Sequence, residues 1–189
     1  MADRYIAMIG SRDTSCVDPS ILDLYDRVAC MAAWAGYTVI SGAAEGFDRV
    51  ACTSTLAAGG KVKLVLPWRT YEREWYLKQI VLYPKKISIE VYDPNINHDW
   101  TESVWTYHPQ GTRLTQGAYA LHARNFGIIK PASLVIAVPN PGKVGGGGTG
   151  QGLRIAEALN KRLYDLTKPE SCAQVDQMIS RFENTSSTK

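Results

Sequence analysis

The chain has 189 residues, an apolar share of 45% and a formal net charge of +3. That length suits one domain with a full core, and so mild a charge admits anionic ligands without demanding a nucleic-acid partner. No apolar stretch approaches the ~18–20 residues of a membrane span, and no secretory signal opens the chain. The cysteines Cys16, Cys30, Cys52 and Cys172 form no C-x-x-C pair, so a disulfide scaffold is not expected and a reducing cytoplasm is the natural setting. His98, His108 and His122 lack helical ligand spacing, so neither a metal nor a resident cofactor is expected.

Tyr5–Ile9 reads as a first buried strand, followed by the turn Gly10-Ser11-Arg12. Asp18 and Pro19 open a helix as N-cap and first-turn residue; Ile21, Leu24, Val28, Met31 and Ala32 recur at helical spacing, and Gly36 closes it. Tyr37–Ile40 is a second strand, running into Ser41-Gly42-Ala43-Ala44-Glu45-Gly46 and then a helix over Phe47–Ala58 that ends at Gly59-Gly60. Lys61–Leu66 is a third strand, stopped by Pro67. Strand–helix–strand–helix–strand at this spacing implies parallel strands with right-handed crossovers.

Further along, Glu72–Leu82 is read as a helix and Ile87–Tyr92 as a strand, with Asp93–Gly111 loop-like because of its Asn and Pro turns. A helix over Leu114–Ile129, a buried strand over Ser133–Val138, a glycine-rich loop over Pro139–Gly148, a helix over Thr149–Asn160 and a strand over Arg162–Leu166 follow. A last amphipathic helix, capped by Ser171, carries Val175, Met178, Ile179 and Phe182. The expected fold is α/β: one Rossmann-like open parallel sheet with helices on both faces. Residues 1–183 form the expected single domain, with an aromatic-rich insertion at about 68–111 and a flexible tail over 184–189.

Two glycine turns between strand and helix are the chain's main chemical signal. Glycine lets a ligand approach the backbone, and the helix start behind it offers unpaired N–H groups that suit phosphate. Gly10, Ser11 and Arg12 supply N–H groups, a hydroxyl and a guanidinium; Ser41, Gly42, Ala43 and Gly46 form the second turn. Asp48 sits just inside the second helix, where it either accepts from a ribose hydroxyl or only favours the helix N-terminus. Gly146, Gly147, Gly148 and Thr149 precede a helix and read as a further phosphate cradle. Arg124 and Asn125 form a helical pair directed at the same region. Nine of the eighteen aromatics lie between Trp68 and Tyr107, a pattern of packing or a dimer interface, with Trp68 and Arg69 as base-stacking candidates at the third strand's end.

These residues, in this order, resemble the SLOG superfamily, named for the DNA-processing protein DprA and the cytokinin-activating LOG enzymes. Gly10-Ser11-Arg12 is similar to the family's opening G-S-R, and Ser41 to Asp48 to the DprA element S-G-x-A-x-G-I-D, with Phe47 for Ile. Gly59-Gly60 falls at the paired-glycine break of DprA-like chains. Arg124-Asn125 resembles the R-N pair of DprA, and Leu121 to Asn125 the M-H-x-R-K segment of LOG. Gly146 to Thr149 resembles the G-G-x-G-T loop of LOG, whose catalytic Glu, three residues beyond the Thr, aligns with Gly152.

The resemblance implies a nucleotide-binding protein that senses or sequesters a phosphorylated nucleotide without cleaving it. An ADP-ribose, NAD-derived or cyclic nucleotide signal, of the kind used in antiviral defence or counter-defence, is the expected ligand. The alternative is an N-glycosidic hydrolase or base transferase acting on a nucleotide, with Arg124 and Glu157 as catalytic pair. A second alternative is DprA-like binding of single-stranded DNA. A homo-oligomer is expected from the apolar surface of the aromatic segment and the last helix.

Overall fold

A computed structural model describes residues 4–109, 113–143 and 145–186. Among these residues six strands form one parallel sheet in the order β4-β3-β2-β1-β5-β6. They are β1 (Tyr5–Gly10), β2 (Thr38–Ser41), β3 (Lys61–Leu66), β4 (Ile87–Val91), β5 (Ala132–Val138) and β6 (Arg162–Asp165). The helices are α1 (Pro19–Trp34), α2 (Phe47–Ala57), α3 (Arg73–Leu82), α4 (His98–Tyr107), α5 (Gln116–Ile129), α6 (Gly147–Ala158) and α7 (Pro169–Ser186). The expected α/β Rossmann-like sheet is thus the fold observed.

The inner strands β1, β2, β3 and β5 are largely buried on both faces, so successive side chains serve two cores. Ile6 and Met8 of β1 pack with α1, α2 and α7 through Tyr25, Val28, Phe47, Val175 and Ile179. Ala7 and Ile9 face the other way, toward α4, α5 and α6 through Trp100, Val104, Phe126, Ile128 and Ile155. A third cluster joins Cys52 and Leu56 of α2 to Leu64 and Leu66 of β3 and to Tyr71 and Tyr76. The Asp18 cap is as expected: its carboxylate accepts from Ser20 N at 2.8 Å, with Pro19 in the first turn.

Two expectations need correction. Residues 93–111 are not all loop, because His98–Tyr107 is α4. Its Asn97 N-cap makes no capping hydrogen bond, but Trp100, Ser103 and Val104 are buried, and the Trp100 ring lies over Gly127, where a Cβ would collide with it. Tertiary packing holds a helix that local signals leave unmarked. The last helix begins at Pro169 rather than Ser171 and runs to Ser186, past the expected fraying point at Asn184; residues 187–189 lie outside the described ones.

The topology creates the site. Strand order reverses beside β1, with β2 on one side and β5 on the other, so the crossover connections diverge there and leave a crevice at the carboxyl ends of β1 and β5. Ser11 N closes the edge by donating to Val138 O at 2.9 Å.

Candidate functional site

The two early glycine turns interlock before they serve any ligand. Phe47 N donates to Ser11 O at 3.0 Å, and Gly46, at φ +86°, lies against the backbone oxygens of Ser11 and Arg12, where no Cβ fits. A Cβ on Gly10 would stand 2.8 Å from Phe47 Cγ. Ser41 is fully buried and donates its hydroxyl to Met8 O at 2.7 Å. Gly42 leaves the space taken by the Arg124 guanidinium. Ser41, Gly42, Ala43 and Gly46 therefore build the floor and do not line the cleft themselves.

The cleft over that floor has a volume of about 550 Å³. Of the sequence-predicted residues it brings together Gly10, Ser11, Arg12, Asp48, Arg124, Asn125, Gly146, Gly147, Gly148 and Thr149. Trp68, Arg69 and Glu157 are not in its lining. Trp68 is exposed and packs edge-on against Tyr71 at 5.3 Å; Arg69 is exposed and its carbonyl accepts from the Tyr76 hydroxyl. Glu157 is exposed on α6, where its charge acts on Arg154. Lining residues without a site role assigned from the sequence include Asp13, His122, Asn140 and Lys143. Lys143 had one available signal, as the only cation in the Pro139–Gly148 loop.

At the cleft base Asp48 and Arg124 form an ion pair, Arg124 Nη1 to Asp48 Oδ2 at 3.7 Å, with both residues at least nine-tenths buried. Asp48 also accepts from Gly10 N at 3.3 Å and Ala44 N at 3.4 Å. Burial raises its pKa, opposed by Arg124 and by the backbone N–H groups of Gly10, Ala44 and Gly42. Asp48 is thus the joint of both glycine turns. Asp13 is also committed: its carboxylate accepts from Ser15 N at 2.9 Å and Ser15 Oγ at 2.7 Å, which lowers its pKa.

On the opposite wall, the first turn of α6 has Gly146 as N-cap with no side-chain cap. Arg154 braces this loop, donating to Gly145 O and Tyr107 O at 2.7 Å each. Asn125 donates to Gly148 O at 3.2 Å, tying α5 to the same turn. Arg12 and Lys143, both exposed, complete the cationic rim; Arg12 donates to the Tyr71 hydroxyl at 3.4 Å. Among the described residues no His, Cys, Asp and Glu group of three or more is placed to hold a metal ion. No helix among them is long and apolar enough to cross a membrane.

Residues 1–73 match the family model of DNA recombination-mediator protein A. No curated protein sequence matches the chain. Among solved structures, DNA processing protein A from Helicobacter pylori is similar with a TM-score of 0.62 at 17% identity, over 96% of this chain and 81% of that one. The H. pylori protein is described as having a unique single-stranded DNA binding mode. The Streptococcus pneumoniae protein gives 0.57 at 16% identity over 93% of this chain, which spans only 56% of that protein's length. The molybdenum cofactor carrier protein of Chlamydomonas reinhardtii gives 0.52 at 14%, over 86% of this chain and 76% of that one. These likenesses show the fold, a Rossmann-like α/β fold with one parallel sheet.

Proposed function

We propose that this SLOG-type chain binds a small phosphorylated nucleotide in the cleft between β1 and β5 and holds it without cleaving it. The observation that carries the reading is the uncapped first turn of α6 opening into the same cleft as Arg12 and Lys143. Helix N–H groups and two side-chain cations directed at one volume suit a phosphate group. The absence of cleavage is supported by where the carboxylates go. Asp48 is under Arg124 and three backbone N–H groups, and Asp13 caps Ser15, so neither is placed to activate water. Gly152, where LOG enzymes carry their Glu, lines the cleft without a side chain, so no carboxylate stands at that place.

An ADP-ribose, NAD-derived or cyclic nucleotide is the ligand class we favour, with sensing or sequestration of a defence signal as its use. A second reading is favoured by the family-model match alone: single-stranded DNA binding, as described for the H. pylori neighbour. One incubation tests both. The protein is mixed with NAD, ADP-ribose, cyclic ADP-ribose isomers, cyclic dinucleotides, nucleoside monophosphates and an oligodeoxynucleotide, and the filtrate and heat-released supernatant are chromatographed. A nucleotide depleted and then recovered intact supports holding without chemistry. Recovery as free base and ribose phosphate establishes an N-glycosidic enzyme instead. Depletion of the oligonucleotide alone, weakening steeply with salt, favours DNA.

A further inference from the structure

The hydrogen bonds around Gln151 determine where His122 carries its proton. A backbone carbonyl only accepts, so the Asn125 atom 3.2 Å from Gly148 O is the amide nitrogen. That nitrogen also lies 2.9 Å from Gln151, so the Gln151 atom it meets is the carbonyl oxygen. Reversing the Gln151 amide would set two NH₂ groups against each other in a fully buried place. His122 Nδ1 lies 2.8 Å from the same oxygen, and with only an acceptor opposite, Nδ1 is the donor. The neutral ring then has its lone pair on Nε2, the edge turned away from Gln151, and His122 lines the cleft.

We propose that His122 presents Nε2 to the cleft as a neutral hydrogen-bond acceptor for a ribose hydroxyl, making His122 a specificity-determining residue for ribonucleotides. This rests on the nucleotide reading of the cleft. The surroundings favour the neutral ring. Burial, the largest effect, pushes the His122 pKa down; the Gln151 hydrogen bond opposes it, and His108, Arg124 and Arg154 push it down further. The His108 ring, at the end of α4, is 4.1 Å away and has its own pKa lowered by burial and by Arg154. Arg124 comes from α5 and Arg154 from α6, while Arg12, Asp13 and Lys143 are the other charges on the cleft wall and Asp48 pairs with Arg124. With a rim this cationic, an uncharged acceptor selects for a donor rather than for a second phosphate.

The test uses the whole chain labelled with ¹⁵N. Long-range ¹H–¹⁵N spectra, assigned with His122→Gln, report the tautomer. Affinities for AMP, 2′,3′-dideoxy-AMP and inorganic phosphate are measured from pH 5 to pH 8, in the wild type, His122→Gln and His122→Leu. The Nδ1–H tautomer is expected at pH 7, with the Nε2 resonance shifting on AMP binding. AMP should bind about tenfold tighter than the dideoxy form. That margin should fall as pH drops through the His122 pKa, persist without pH dependence in His122→Gln, whose amide oxygen reaches the Nε2 position, and vanish in His122→Leu. An Nε2–H tautomer, or equal binding of AMP and the dideoxy form, overturns the inference while leaving nucleotide binding intact. Failure of AMP to bind at all overturns the ribose assignment together with the nucleotide reading, and the spectrum still reports the His122 proton independently.

Discussion

Replacing Gly42 with Ala is the sharpest perturbation of the site, because it changes one atom at a position outside the cleft lining. The new Cβ would overlap Arg124 Nη1 and stand 2.6 Å from Nη2, so no small rotation of the planar guanidinium relieves it. Arg124 must withdraw into the cleft. Its own charge then reaches water, but Asp48 stays buried with only backbone donors. Removing one partner of a buried ion pair costs about 3–5 kcal/mol, and rehydration of Arg124 places the expected loss at about 2–4 kcal/mol. For a chain of this size that is a fall in Tm of about 5–15 °C. The sign with pH follows from Asp48. Burial raises its folded pKa above the unfolded value, so its ionisation opposes folding; that effect is absent below the unfolded pKa and grows as pH rises through the folded one. Losing Arg124 raises the folded pKa further, so the gap between variant and wild type should narrow from pH 7 to pH 4. Thermal unfolding across that range is the assay, with Gly42→Ala/Asp48→Asn as the double variant. The double variant should recover at least half of the loss if the cost runs through Asp48. A Gly42→Ala protein with the wild-type Tm and wild-type nucleotide affinity would refute the account.

Gly152→Ala should change stability by no more than about 1 kcal/mol in thermal unfolding, because its Cβ meets only Ile9 Cδ1, the end of a side chain that can rotate away, and Ala favours the helix interior; a larger loss would show that Ile9 is held rigidly. Arg12→Ala and Lys143→Ala should each weaken nucleotide binding about tenfold in calorimetry while leaving Tm within 2 °C or so, since both side chains are exposed at the rim. Fully buried Cys52, whose thiol burial and Asp48 push strongly up, should resist iodoacetamide at pH 8 in the native protein, whereas half-buried Cys16 should be labelled; labelling of Cys52 at the rate of Cys16 would show that α2 opens readily.

The sheet was legible because β-branched runs and glycine turns alternate along the first half of the chain, where local signals and tertiary packing agree. Gly10, Gly42 and Gly46 stood out as residues for a ligand. Their first duty is to each other, to Phe47 and to the Arg124 side chain, and the ligand surface is what that interlock leaves open. A sequence pattern cannot separate those duties, since both demand a missing Cβ. The segment at 68–111 resisted for a different reason. Tyr71 matters because Arg12 donates to its hydroxyl and the Arg124 guanidinium lies 5.9 Å from its ring, relations between residues far apart in sequence. Trp68, the more conspicuous aromatic, is exposed beside it. His122 appeared in a motif without a role; only Gln151, a turn into the glycine-rich helix, supplies one.

The distribution of charge in the cleft argues for retention of a ligand rather than for its hydrolysis. Breaking an N-glycosidic bond calls for a group that stabilises positive charge at the sugar or positions water against it. Both cleft carboxylates are turned to structure: Asp48 joins the two glycine turns and Asp13 caps the short turn Thr14–Cys16. The cationic groups, Arg12, Lys143 and Arg124, with Arg154 behind them, favour negative charge and oppose an oxocarbenium ion. A chain whose net charge is only +3 places Arg12, Lys143 and Arg124 together where β1 and β5 part, beside His122, whose pKa burial pushes down. Under the proposed function such a site would stabilise a phosphorylated ground state, and tight binding of the ground state without matching stabilisation of the transition state is the physical condition for holding a nucleotide intact.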